Sequence, residues 1–145
     1  MLVRELTAAG HAVRGTTRDP RRMPEIEAAG AEAVLADPDR LGTLMAHLDG
    51  VSLVCWLLGS VDPHAAADLH GPRLRTLLER LVDTPVRGVV FEAAGSVDAR
   101  VLAGGAAAVR EASATWSMPV EVVEEGPGDR DEWLAAMTAA IGRLL

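Results

Sequence analysis

A chain of 145 residues has room for one domain built on a single core. With 49% apolar and 24% charged residues, its composition is globular and excludes a disordered chain. A formal net charge of −7 opposes non-specific binding to nucleic acid or to an anionic membrane, and no apolar run approaches the roughly 20 residues that span a bilayer.

In chain order, Leu2, Val3, Leu6 and Ala9 recur at helical spacing, and Gly10 follows as a left-handed stop. The β-branched stretch HAVRGTTR (11–18) predicts a strand, PEIEAAG (24–30) a short helix, and AEAVLAD (31–37) a second strand. An apolar stripe through Leu41, Leu44, Met45 and Leu48 predicts a helix that ends at Asp49-Gly50. The uninterrupted apolar run VSLVCWLLG (51–59) suits a central parallel strand covered on both faces. Segment 64–83 places Leu74, Leu77, Leu78, Leu81 and Val82 on one helical face. Further strands are expected at 86–95 and 119–125, with an Ala-rich helix over 99–115 between them. A closing helix begins at Arg130 and carries Trp133, Leu134, Met137, Ile141 and Leu144 on one side. Five strands alternating with about six helices predict an α/β fold with a doubly wound, mainly parallel sheet in one domain, residues 1–145.

All 14 basic residues are arginine and tyrosine is absent, so mechanisms that need a phenolic acid or a lysine amine are excluded. Cys55 is the only cysteine and lies inside the apolar run 51–59, which reads as an inert core thiol in a reducing, cytoplasmic protein. His64 and Asp68 would share a helical face, but His70 would project elsewhere, so no metal site is expected and all three read as solvent-facing. Glu92 follows an apolar strand and is a candidate for partial burial, with no substrate indicated.

The order and spacing of LVRELTAAGHAVRGTTRDP, GAEAVLADPDRLGTLMAHLDGVSLVCWLLG, RLRTLLERLVDTPVRGVVFEAAGS and SMPVEVVEEGP resemble the atypical or extended short-chain dehydrogenase/reductase family, notably its NAD-dependent epimerase-like and NmrA-like members. The resemblance implies a Rossmann-like fold. Members open with a strand and a Gly-x-x-Gly-x-x-Gly loop, and residues 2–10 look like the helix that follows that loop, so the first family strand and its phosphate loop are expected to be missing here. In the family that strand lies between those corresponding to 11–18 and 51–59. The gap is expected to be closed by strand 11–18 or by a second copy of the chain.

By the same resemblance, Arg18 occupies the point after the second strand where a basic residue holds the 2′-phosphate of NADP, with Arg21 and Arg22 able to reinforce it. The competing reading is three arginines flanking a helix start in a solvated loop. Asp37 matches the family aspartate near the adenine, and equally suits an N-cap before PDRLGTLM. Gly59 and Ser60, with Leu58, match the segment beneath the adenosine ribose; a glycine there is also what any strand-to-loop turn requires. The family's Tyr-x-x-x-Lys pair falls near Leu102 and Ala106, neither of which transfers a proton, and Ser96 stands where the assisting serine would be. It reads as a loop hydroxyl or a cap for the following helix. Glu124 and Glu125 stand where many members carry an arginine.

The expectation is therefore a degenerate NAD(P)-binding protein, non-catalytic and regulatory or a remnant, in which NADP binding is weak or lost. One alternative is an NADP-dependent oxidoreductase or epimerase-like enzyme whose chain starts further upstream. Another is a structural dimerisation module, with the stripe Trp133, Met137 and Ile141 as a homodimer contact in place of packing on the sheet.

Overall fold

A computed structural model describes residues 1–145. The chain divides into two compact units, Met1–His47 and Leu48–Leu145. The fold is mixed α/β with seven α-helices and five parallel-paired strands, divided between a two-stranded and a three-stranded sheet. The strand segments expected from the sequence all appear, but in two sheets and not in one.

The first unit runs α1 (Leu2–Ala8), β1 (Arg14–Thr17), a 3-10 turn (Pro20–Arg22), α2 (Met23–Ala28), β2 (Glu32–Leu35) and α3 (Leu41–Met45). β1 and β2 pair in parallel with Arg14 opposite Glu32 and Thr17 opposite Leu35. Helix α2 crosses over Gly15, where an added Cβ would stand 2.6 Å from Ile26 Cγ2. Gly10 and Gly30, both expected as helix stops, have φ of +90° and +102°, a conformation that side chains with a Cβ resist.

The second unit runs β3 (Leu53–Trp56), α4 (Pro63–Leu69), α5 (Pro72–Leu81), β4 (Gly88–Glu92), α6 (Ala99–Trp116), β5 (Val120–Val123) and α7 (Arg130–Leu144). Its parallel sheet has the order β3-β4-β5. The expectation of a central strand at 51–59 is corrected: β3 is an edge of its sheet, and the middle strand is β4, buried at every residue. An apolar run reports that both faces are covered, not how many neighbours the strand has.

Side chains alternate across β4. Phe91 meets α6 at Gly105, where an added Cβ would stand 2.5 Å from the ring, whereas Gly88 faces Leu144 and Glu92 faces Trp133 at opposite ends of α7. Helices therefore cover both faces of this sheet, and α7 runs antiparallel to β4. Met137, Ala140 and Ile141 of α7 are buried, so the stripe expected in the closing helix packs inward.

The single helix expected over 64–83 is two. Pro72 has no amide hydrogen and disfavours helical geometry in the residue before it; Gly71 adopts φ −121° and ψ −112° and ends α4. Asp62, Asp98 and Asp129 cap α4, α6 and α7 by accepting the amides of His64, Arg100 and Glu132.

Candidate functional site

In the first unit the residues of interest follow the carboxyl ends of β1 and β2. The loop after β1 is built on Asp19, whose carboxylate accepts the Arg21 amide at 3.0 Å and pairs with the Arg21 guanidinium through bonds of 3.1 and 3.0 Å. These bonds hold the Asp19 carboxyl below its ordinary pKa. Arg22 lies 3.6 Å from Glu25. Arg21 and Arg22 are thus engaged by neighbouring carboxylates, while Arg18 is exposed and unpaired. Of the three arginines, Arg18 is the one whose fork is free for an external anion.

Asp37 is half-buried, and its Oδ1 accepts the Asp39 amide at 2.9 Å. It closes the turn Asp37–Arg40 and does not cap α3, whose N-cap is Arg40 without a side-chain bond. The cap reading is corrected for a local reason: Pro38 starts a turn, which delays the helix to Leu41.

In the second unit the turn Leu58–Ser60 after β3 meets the loop after β4. Gly59 is buried, and a Cβ on it would collide with the Ala94 carbonyl; a Cβ on Gly95 would collide with the Gly59 carbonyl. Only glycines allow this approach of two backbones. The Gly59 carbonyl accepts the Val97 amide at 3.0 Å, and the Ser60 hydroxyl accepts the Ser96 amide at 3.1 Å. Ser96 is exposed and its expected role as a helix cap is taken by Asp98.

Two buried polar side chains complete the turn. His70 is 2% exposed, and its Nε2 lies 2.8 Å from the Leu58 carbonyl oxygen; since a carbonyl only accepts, Nε2 carries the proton and Nδ1 is left with a buried, unpartnered lone pair. Burial pushes the His70 pKa down, partly opposed by the Leu58 bond and the charge of Glu92. The solvent-facing reading of His70 is thereby corrected: α4 stops at Leu69, and the turn at Gly71 brings the imidazole edge-on to Phe91, 5.5 Å between centroids. Glu92 is 5% exposed. Its Oε1 accepts the Gly59 amide and its Oε2 the Trp133 indole Nε1, each at 2.8 Å. The Gly59 amide is therefore committed to a carboxylate and cannot donate to a phosphate. In the second unit, Ser60 is the exposed candidate.

Leu102 and Ala106 lie on α6 and are buried; Leu102 packs with Ala66 and Val97. Burial pushes the Cys55 thiol up to about 11, which keeps it protonated and poorly nucleophilic at neutral pH.

Parallel strands with helical crossovers, glycine turns and polar residues at the carboxyl ends define a Rossmann-type protein of the nucleotide-binding class. The chain belongs to the NAD(P)H-binding family, whose model matches residues 1–134. Two solved structures of triphenylmethane reductase from Citrobacter sp., one of them a crystal structure complexed with NADP(H), share the fold with a TM-score of 0.61, at 15% and 17% sequence identity. Each match covers 83% of this chain and 43% of the reductase chain, so this chain spans about half the length of those relatives. No curated protein matches it.

Proposed function

We propose that this chain is a nucleotide-binding module of the NAD(P)H-binding family that binds NADP(H) weakly, in preference to NAD(H), through Arg18 and does not itself supply the proton-transfer step of the family's reductases and epimerases. The observation that carries the reading is the contrast between Arg18, exposed and unpaired, and the positions of the family's acid-base pair, filled by the buried apolar residues Leu102 and Ala106. When bound, NADP(H) supplies hydride chemistry; the residues of this chain bind and orient. The Arg18 fork suits a 2′-phosphate, to which it can donate two charge-assisted hydrogen bonds. Within Met1–His47, Asp37 retains Oδ2 for a nucleotide amino group; within Leu48–Leu145, considered by itself, Ser60 offers a hydroxyl at an exposed turn.

Thermal unfolding with added NADPH or NADH tests this reading. NADPH at ten times its dissociation constant raises stability by about 1.4 kcal/mol if it binds only the folded chain. The expected result is a rise in midpoint with NADPH, a smaller one with NADH, and loss of the difference in Arg18→Ala. Equal effects of the two nucleotides, or none from either, would refute it.

A further inference from the structure

The buried carboxyl of Glu92 is unusual because neither of its partners is a cation: one oxygen takes a backbone amide from the turn after β3, the other an indole from α7. A side chain buried to 5% exposure, with each oxygen bonded to a donor from another segment, is placed to hold structure and not to meet a substrate. Its bonds instead join three segments distant in sequence, since Gly59 lies 33 and Trp133 41 residues away. Together with His70 on the Leu58 carbonyl and Val97 on the Gly59 carbonyl, it fixes the backbone polar groups on both sides of the Leu58–Gly59 peptide.

We propose that Glu92 is a positioning residue: its carboxylate sets the Leu58–Ser60 turn and, through Trp133, ties the position of that turn to helix α7. A ligand that contacts the turn is then felt at Trp133, and the Trp133 bond influences affinity at the turn. This link to affinity rests on the reading of Leu58–Ser60 as a nucleotide contact; the clasp itself does not.

The geometry makes a specific demand on substitutions. Glu92→Gln keeps one acceptor oxygen and replaces the other with a donor, so Gly59 and Trp133 cannot both be satisfied. Removing the indole donor with Trp133→Phe frees the glutamine oxygen for Gly59. Three measurements on the full chain decide the proposal: hydrogen exchange at the Gly59 amide, the Trp133 indole N–H resonance, and NADPH affinity. In Glu92→Gln, Gly59 exchange is expected to accelerate about tenfold, the Trp133 resonance to shift, and NADPH to weaken about tenfold, as for loss of a hydrogen bond to a charged group. The double variant Glu92→Gln/Trp133→Phe is expected to recover Gly59 protection and affinity to within about threefold of wild type. A Gly59 amide and an indole resonance both unmoved by Glu92→Gln would overturn the clasp. So would a double variant no better protected than Glu92→Gln alone. NADPH binding unchanged while Gly59 exchange accelerates would overturn the positioning role. Absence of NADPH binding in wild type would instead remove the nucleotide reading, and the exchange and resonance results would still decide the clasp.

Discussion

In Met1–His47 the informative charge is Arg18, exposed beside two arginines tied to carboxylates, whereas in Leu48–Leu145 the informative groups are His70 and Glu92, buried and bonded to backbone. The first arrangement leaves a cation free to meet an anion from solvent. The second spends its polar groups on holding a turn in place. The cores differ in the same direction. The second unit fully buries Phe91, Leu74, Leu77, Leu78, Leu81, Val89, Val90, Val109 and Met137, while the first relies on a two-stranded sheet with Leu2, Leu6, Val34 and Leu41 as its larger buried side chains. Two strands are marginal by themselves, and three with helices on both faces are not. The exposed cation and the buried polar bonds thus lie in different parts of the chain.

The largest expected effect tests the unequal cores. Phe91→Ala removes the fully buried ring that joins β4 to α6 and is expected to cost about 3–5 kcal/mol in chemical denaturation, against about 1–2 kcal/mol for Val34→Ala in β2. Equal costs would erase the contrast. Next, Gly59→Ala drives a methyl into the Ala94 carbonyl and is expected to lose about 1–3 kcal/mol, since the obstacle is backbone and not a flexible side chain. A neutral result would mean that the two turns are free to separate.

His70 sharpens the comparison through pH. Its pKa is depressed in the folded chain, so the unfolded chain binds the extra proton first as pH falls below the ordinary value of 6.5. Stability is therefore fully present above 6.5, declines below it by at most about 1.4 kcal/mol per pH unit, and levels off once pH passes the depressed folded value. Denaturant unfolding of wild type and His70→Gln between about pH 7.5 and about pH 5.5 isolates this contribution, which is expected to vanish in the variant. A smaller gain is expected from Ser117→Gly. Ser117 ends α6 at φ +55°, so glycine there relieves left-handed strain and stabilises by about 0.5–1 kcal/mol.

Much of the fold was legible because alternating helical and extended periodicities survive at short range: each expected strand segment contains the observed one, and the stops at Gly10 and Gly30 fall as read. The break at Gly71-Pro72 was written in the sequence but outweighed by the leucine stripe of α5, which also hid the burial of His70. Arg18 was legible as a basic residue after a strand; its distinction from Arg21 and Arg22 needed the positions of Asp19 and Glu25. The Glu92 clasp left no local pattern, because its partners are a glycine amide and an indole brought together only by the fold. An acidic residue ending an apolar strand was the sole signal.

The most direct test of the proposal that Arg18 recognises phosphate in a chain without the family's acid-base pair is a side-by-side equilibrium titration of wild type and Arg18→Ala with NADPH and NADH. Arg18→Ala is expected to change folding stability by no more than about 0.5 kcal/mol, because its side chain is exposed. Tighter binding of NADPH than NADH by about tenfold in wild type, with the two equal in Arg18→Ala, is the expected result. An NADPH preference that survives Arg18→Ala, or its absence from wild type, would contradict the account.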